Sequence, residues 1–224
     1  MRNIIKKIIH PIAKLGFKTY FSKPRKYTFE GIEAIVNPDV FPPHLTISTK
    51  ILLNYLKTIK LKDKTLLELG CGSGIISLLA ARQGANVTAS DINPSALDGL
   101  KASSLKNNLN ITILYSDLFE NLTDTCFDYI IINPPYYPKK ASNIKEQAWF
   151  CGENFEYFEK LFLQLPNYIK PDNQILMILS EDCNIEHIQS IAYKQKLFMD
   201  SIVQKTVMKE KNFIFKIFFD EKNN

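Results

Sequence analysis

Short apolar segments alternate with helical patterns from Leu61 to the end of the chain, and this alternation restricts the possible folds more than any other feature of the sequence. Strands that alternate with helices in this way are typical of a parallel sheet covered by helices on both faces. We predict strands at residues 65–70, 86–91, 111–116, 127–132, 174–180, 197–206 and 212–219, and helices at residues 47–59, 74–83, 94–107, 154–169 and 184–195.

The last two predicted strands, residues 197–206 and 212–219, have no helical pattern between them, only a short connection that contains "KEK". Two strands joined by a short connection form an antiparallel hairpin. The sequence therefore predicts an α/β fold with a doubly wound parallel sheet that ends in an antiparallel hairpin.

The positive charge of the chain is concentrated at its N-terminus. The net charge is +5, yet residues 1–26 carry eight basic side chains and no acidic one, and the rest of the chain has more acids than bases. Such an arm suits nucleic-acid phosphates or another anionic surface; the alternative is a helix whose isoleucines pack on the domain. We predict a basic arm and a small hairpin around Gly31 in residues 1–45, then one domain in residues 46–224. The basic residues are Arg2, Lys6, Lys7, Lys14, Lys18, Lys23, Arg25 and Lys26.

The composition argues against a membrane-spanning protein, a disulfide-stabilised protein and a metal-binding protein. No apolar run reaches the roughly 18 residues that a membrane span needs, so we predict a cytoplasmic protein without a membrane span. The four cysteines lie far apart without a CxxC pair, and no histidine has another ligand-type residue at clear metal spacing. We therefore expect neither a disulfide framework nor a metal site.

A glycine cluster follows the first strand of the predicted domain and opens a helix. Gly70, Gly72 and Gly74 stand within five residues, in "ELGCGSG", in a chain that has only eight glycines. Such a cluster indicates that a ligand approaches the backbone closely. Its spacing is G-x-G-x-G, whereas a nicotinamide-binding loop has G-x-G-x-x-G. Glu68, just before the loop, would repel a phosphate but attract an ammonium or sulfonium group.

Two further acids stand at the carboxyl ends of the next two predicted strands. Asp91 stands where an acid can bind both hydroxyls of a ribose. Asp117, in "YSDLF", could accept a hydrogen bond from the exocyclic amine of adenine. A ligand with an adenine, a ribose and an amino-acid tail would match all three acids, although each acid could instead cap a helix or end a strand at the surface.

These motifs resemble those of the class I S-adenosylmethionine-dependent methyltransferases. The resemblance covers about residues 46–220, through "LLELGCGSG", "TASDINP", "YSDLF", the Asn-Pro-Pro-Tyr stretch and the terminal hairpin. It implies a seven-stranded Rossmann-like fold and S-adenosylmethionine as the cofactor. It further implies that Gly70, Cys71, Gly72 and Gly74 lie under the methionine part, that Asp91 binds the ribose, that Ile92 packs on the adenine, and that Asp117 and Leu118 lie at the edge of the adenine.

The stretch "FDYIIINPPYYP" brings an amide to the end of the predicted fourth strand. Ligands of doubly wound sheets bind at the carboxyl ends of such strands. Asn133 offers a side-chain carbonyl, and Pro134 offers a backbone carbonyl without a competing N–H group. Two fixed acceptors suit a planar –NH₂ group, with Tyr136 against its flat face; the alternative is a turn that simply ends a strand.

The same stretch is similar to the motif of amino methyltransferases that modify adenine or guanine amines, or the glutamine amide of release factors. The resemblance implies that Asn133, Pro134, Pro135 and Tyr136 are catalytic, with Asn133 also beside the cofactor. "AWFCGENFEYFEKLF" and "STKILLNYL" resemble the release-factor branch, and the second places Thr49 near the cofactor. This chain has Cys151 and Phe155 where that branch has glycines.

The sequence therefore predicts a methyltransferase that acts on a planar nitrogen, and it leaves the acceptor open. The partner is rRNA or tRNA, which the basic arm favours, or a protein such as a release factor, which the two resembling stretches favour. A catalytically inactive methyltransferase-like module in an RNA or protein assembly is the alternative function. A nicotinamide-dependent oxidoreductase is disfavoured by the glycine spacing and by the terminal hairpin.

Overall fold

The structure is a computed structural model that describes residues 22–43, 46–123 and 126–219. These residues form nine strands and six α-helices. The strands are β1 (Arg25–Phe29), β2 (Ile32–Val36), β3 (Thr65–Leu69), β4 (Asn86–Asp91), β5 (Ile111–Tyr115), β6 (Tyr129–Ile132), β7 (Gln174–Ser180), β8 (Leu197–Val207) and β9 (Glu210–Phe219). The helices are α1 (Ile47–Leu56), α2 (Ile75–Arg82), α3 (Pro94–Lys106), α4 (Ile144–Gln147), α5 (Glu156–Gln164) and α6 (Ile185–Lys194).

Seven strands form one sheet in the order β5-β4-β3-β6-β7-β9-β8. The first five of these are parallel to one another, whereas β9 runs antiparallel to both β7 and β8. Within this sheet, the first strand along the chain is β3, which lies in the middle. The chain then adds β4 and β5 on one side of β3 and returns to add β6 on the other side. The predicted fold class, a seven-stranded Rossmann-like sheet with a terminal antiparallel hairpin, is confirmed.

Each face of the sheet has its own hydrophobic core. Side chains alternate between faces along a strand, so Leu66 of β3 packs in one core whereas Leu67 and Leu69 pack in the other. The first core includes Leu52 of α1 and buried residues of α2 and α3, and the second includes Phe158 of α5 and buried residues of α6. Glu68 shares its face with Leu66, which places a carboxyl group under α2.

Two predicted elements end earlier than the patterns suggested. The prediction of a helix over residues 154–169 is wrong at its end, because α5 stops at Gln164 and a 3₁₀ turn, Leu165–Tyr168, follows it. Pro166 has no N–H group to continue the helix. The helix that we expected over residues 47–59 ends at Leu56.

A separate antiparallel hairpin, β1–β2, packs against α3. Glu30 and Gly31 both have positive φ angles, of 47° and 76°, as a tight two-residue hairpin turn requires. The hairpin is held by hydrogen bonds from Ile35 N to Ser103 Oγ (2.8 Å) and from Glu33 N to Asn107 Oδ1 (3.1 Å). Arg25 and Lys26, which we expected in the arm, belong to β1. Residues 1–21 of the predicted arm, with Arg2, Lys6, Lys7, Lys14 and Lys18, lie outside the described residues.

No helix within the described residues combines the length and the apolar character that crossing a membrane would need.

Candidate active site

The carboxyl ends of β3, β4, β5 and β6 open into one cavity of about 620 Å³. Parallel strands end at the same edge of the sheet, so residues that are far apart in the sequence meet there. Every predicted site residue except Gly74 lines this cavity. Those that line it are Thr49, Glu68, Gly70, Cys71, Gly72, Asp91, Ile92, Asp117, Leu118, Asn133, Pro134, Pro135 and Tyr136.

The glycine loop leaves β3 with left-handed backbone geometry. The N–H groups of Gly70 and Cys71 both donate to the carbonyl of Ser90, at 2.9 and 2.8 Å. A Cβ atom added to Gly70 would meet no atom within 4 Å, so this glycine faces open space that a ligand can fill. Burial raises the pKa of the Cys71 thiol, and the nearby carboxylates of Asp91 and Glu68 raise it further. Cys71 is therefore a neutral thiol.

Gly74 has a different position from the other two glycines. It precedes α2 with a φ of +69°, and a Cβ atom there would lie 2.9 Å from Cγ of Leu100 in α3. Gly74 therefore lets α2 and α3 pack closely behind the loop, and it does not line the cavity.

Glu68 is buried beneath the first turn of α2. Its Oε2 accepts hydrogen bonds from the backbone N–H of Ser77, at 2.8 Å, and from the Ser77 hydroxyl. Desolvation raises the pKa of Glu68 to about 8, although the two Ser77 hydrogen bonds act in the opposite direction. A cation in the cavity would favour the ionised form of this carboxyl group.

Asp91 ends β4 and holds two backbone groups. Its Oδ2 accepts from Gly72 N at 2.7 Å, and its Oδ1 accepts from Asn93 N at 2.8 Å. A carboxylate has about four acceptor positions, so each oxygen can accept another hydrogen bond from the cavity. Burial raises the pKa of Asp91 above its usual value. The two backbone contacts fix the orientation of the carboxylate.

Asp117 forms an ion pair that the sequence did not predict. Its Oδ2 lies 2.6 Å from Nζ of Lys160 in α5, and the same Nζ lies 2.6 Å from Oε1 of Glu120. Tyr157, one helical turn before Lys160, also lines the cavity. Burial raises the pKa of the Tyr157 phenol, and the carboxylates of Asp91 and Asp117 raise it further. Its neutral hydroxyl can donate or accept a hydrogen bond on this side of the cavity.

Asn133 and Pro134 follow β6 directly, on the opposite side of the glycine loop from Asp117. Asn133 Nδ2 donates to Thr49 Oγ1 of α1 over 3.4 Å, so Thr49 contacts the amide of the Asn-Pro-Pro-Tyr stretch. The rings of Tyr136 and Tyr137 lie 4.8 Å apart, and burial raises the pKa of the Tyr136 phenol well above its usual value. Tyr136 is therefore a neutral side chain that lines the cavity.

A wall formed by the segments around Tyr137 and Trp149 closes this side of the cavity. Tyr137 N donates to the carbonyl of Trp149 (3.1 Å), and Cys151 N donates to the carbonyl of Tyr137 (3.0 Å). The rings of Trp149 and Phe41 pack with their centroids 4.6 Å apart. Sequence reasoning missed Phe41, which belongs to no motif. It noted Trp149 only as part of a resembling stretch.

Comparisons with known proteins identify the family. The methyltransferase small domain family matches residues 32–218, which is most of the chain. A protein of Methanocaldococcus jannaschii, provisionally named a protein N5-glutamine methyltransferase, is 34% identical over 178 residues, which cover 75% of this chain and 88% of that protein. Several longer relatives share similar identity, but the chain spans only 35% to 37% of their length.

Two solved structures share the fold. The E. cuniculi Mtq2–Trm112 complex, which methylates the termination factor eRF1, contains a chain with a TM-score of 0.62 and 18% identity, covering 81% of this chain and 99% of that one. The T. thermophilus 16S rRNA N2 G1207 methyltransferase, in complex with AdoMet and guanosine, gives a TM-score of 0.61 and 17% identity, covering 87% of this chain and 50% of that one.

The chain belongs to the methyltransferase small domain family. It is a methyltransferase.

Proposed function

We propose that this methyltransferase modifies a planar –NH₂ nitrogen held by Asn133 and Pro134. The observation that carries the proposal is the orientation of the Asn133 amide. Its Nδ2 donates to Thr49, so its Oδ1 and the carbonyl of Pro134 remain as acceptors beside the cavity. Two acceptors suit the two hydrogens of an amide or an aromatic amine.

The residues around the glycine loop fit S-adenosylmethionine. Gly70 leaves open space for the methionine part, Glu68 suits a positively charged group, and Asp91 can accept from ribose hydroxyls. Ile92 and Leu118 would contact the adenine, with Asp117 and Tyr157 at its edge. The cofactor supplies an electrophilic methyl group when it is bound.

The oxygens of Asn133 and Pro134 would make the acceptor nitrogen a better nucleophile. The lone pair of an amide or arylamine nitrogen is delocalised, which makes the nitrogen a poor nucleophile. Acceptors that hold both hydrogens favour pyramidalisation and stabilise the positive charge that develops on the nitrogen during methyl transfer. Their fixed positions also align the nitrogen for attack. A strong base is unnecessary before transfer, since the proton leaves after the nitrogen becomes cationic.

The side-chain amide of a protein glutamine is the acceptor that we favour. The M. jannaschii relative that carries this activity in its name is matched over 88% of its length. The neutral Tyr136 phenol and the aromatic pair Phe41–Trp149 form an apolar wall that suits a planar amide flanked by peptide.

An exocyclic amine of an RNA base is the second candidate. The observation that favours it is the basic N-terminal arm, with Arg2, Lys6, Lys7, Lys14 and Lys18 in residues 1–21. Such an arm would neutralise phosphates and make binding depend strongly on salt. The ring of Tyr136 could then stack on the base, an interaction worth roughly 1–3 kcal/mol.

Tritiated S-adenosylmethionine tests the two acceptors directly. The enzyme is incubated with separated whole-cell RNA and protein fractions, and the labelled nitrogen is then identified after hydrolysis. Label on glutamine nitrogen supports the favoured acceptor, label on a base amine supports the second, and label on neither nitrogen contradicts the proposal. Calorimetry with the cofactor alone tests the inactive-module alternative, which the absence of binding heat would favour.

A truncation that removes residues 1–21 separates the two acceptors independently. It spares Arg25 and Lys26, which pair with β2, so the hairpin remains intact. If RNA is the substrate, the truncation should weaken RNA binding and flatten its dependence on salt. Unchanged methylation of a protein fraction would support glutamine.

A further inference from the structure

Three polar contacts link Asn133 to the segment before α1. Thr46 Oγ1 donates to the carbonyl of Pro43 at 3.3 Å, and Thr46 Oγ1 lies 2.9 Å from Thr49 Oγ1. Asn133 Nδ2 completes the series at Thr49 Oγ1, 3.4 Å away. Thr46 occupies the N-cap position of α1, where a threonine normally accepts from the backbone, yet its side chain makes no capping bond. Its hydroxyl is used in this series instead.

Only one arrangement of protons satisfies all three contacts. The carbonyl of Pro43 can only accept, so the single hydroxyl proton of Thr46 points to it. Thr46 Oγ1 must then accept, and the Thr49 hydroxyl donates to it. Thr49 Oγ1 has only lone pairs left for Asn133, so the –NH₂ end of the amide must face Thr49.

We infer that Thr46 and Thr49 are positioning residues that fix which end of the Asn133 amide faces the methyl acceptor. The catalytic consequence rests on the proposed function. If the amide rotated by half a turn, its –NH₂ group would meet the –NH₂ group of the acceptor, and two donors would oppose each other. Thr49 is 3% exposed, so water does not readily replace its hydroxyl.

This role differs from the one that the resemblance implied for Thr49, a place beside the cofactor. Thr49 lines the cavity, so its loss could act through either route. Thr46 is not among the lining residues, and its hydroxyl reaches Asn133 only through Thr49. A Thr46 variant therefore separates positioning from cofactor contact.

Steady-state kinetics on the extract fraction that the wild-type enzyme labels provide the first test. Thr49→Val keeps the shape of the side chain but removes the hydroxyl, and we expect kcat to fall about 5- to 10-fold, as the loss of one hydrogen bond does. Thr49→Ser should restore most of the rate. Thr46→Val should also lower kcat, because the freed Thr49 proton can then donate to Asn133 Oδ1 and stabilise the rotated amide.

The affinity for S-adenosylmethionine, measured by calorimetry, should stay within about twofold in all three variants. Thr58→Val is the matched control, because Thr58 is an exposed threonine just after α1 whose hydroxyl donates to the carbonyl of Tyr55. It should leave kcat unchanged. A normal kcat for Thr46→Val, or a loss of cofactor affinity that accounts for the slower rate, would overturn the inference.

NMR of protein labelled with ¹⁵N at asparagine tests the geometry without any methyl acceptor. The side-chain –NH₂ signals of Asn133 are assigned as those missing from Asn133→Asp. We expect Thr49→Val and Thr46→Val to shift these signals and to speed their exchange with solvent, and Thr49→Ser to preserve them. Unchanged signals in both valine variants would disprove the series of bonds. Shifted signals in an enzyme that methylates no nitrogen would instead refute the proposed function alone.

Discussion

The backbone N–H of Gly72 donates a 2.7 Å hydrogen bond to Oδ2 of Asp91, which ties the glycine loop after β3 to the end of β4. The other carboxylate oxygen holds Asn93 N at 2.8 Å. A single side chain thus fixes the backbone on both sides of this part of the cavity, while each of its oxygens can still accept from a ligand. Affinity for the cofactor and order of the loop should depend on the same residue.

Replacement of Asp91 by alanine should weaken S-adenosylmethionine binding about 100-fold, because two hydrogen bonds to a charged group are lost together. Calorimetry measures this change directly, and kcat at saturating cofactor should fall much less. The control is Asp98→Ala, which removes an exposed acid from α3. Wild-type affinity in Asp91→Ala would contradict the assignment of the ribose site.

Replacement of Asn133 by alanine should have the opposite pattern. We expect kcat to fall about 10²-fold or more, since a contact made mainly in the transition state is lost, while cofactor affinity stays nearly intact. Initial rates and calorimetry on the same preparation provide the comparison, and Asn110→Ala, at an exposed position before β5, is the control. An equal loss of rate and of affinity would mean that Asn133 is structural.

The loop glycines should differ in what they contribute to stability. Gly70→Ala should lower the free energy of unfolding by about 1–2 kcal/mol, the cost of a left-handed backbone. Gly74→Ala should lower the free energy of unfolding by a similar amount for its backbone, and by about 1–3 kcal/mol more because its Cβ atom meets the buried Leu100. Urea unfolding measures both.

The background of Leu100→Ala isolates the steric part of this difference. In that background, Gly74→Ala should lower the free energy of unfolding only as much as Gly70→Ala does, because the clash between the new Cβ atom and the Leu100 side chain is gone. Equal costs for the two glycine variants in the wild-type background would show that close packing of α2 on α3 is not the role of Gly74.

Cofactor binding should release a proton at neutral pH. Burial raises the pKa of Glu68 to about 8, so this carboxyl group is mostly protonated at pH 7. A cationic ligand favours the ionised form and lowers the pKa, which expels the proton. Affinity should therefore rise as the pH increases towards about 8, and level off above that value.

Calorimetry in two buffers of different ionisation enthalpy counts the released protons. Glu68→Gln, which has no proton to lose, should bind the cofactor more weakly and should flatten the rise of affinity below pH 8. Proton release of the same size in wild type and in Glu68→Gln would assign the release to another group.

The order of elements and the location of the site followed from local patterns. The two-residue period of a strand and the 3.6-residue period of a helix are properties of short segments, so the sheet and its terminal hairpin could be predicted. Parallel strands must end at one edge, which is why the sequence alone could place Glu68, Asp91 and Asn133 in one cavity.

Only the tertiary structure decided which side chains pair across that cavity. Lys160 lies 43 positions from Asp117, and Thr49 lies 84 positions from Asn133, and no periodicity connects either pair. Such contacts depend on how helices pack on the sheet, and packing is set by the shapes of many side chains together. For the same reason Gly74 looked like part of the ligand loop in the sequence, whereas its neighbour in space is Leu100.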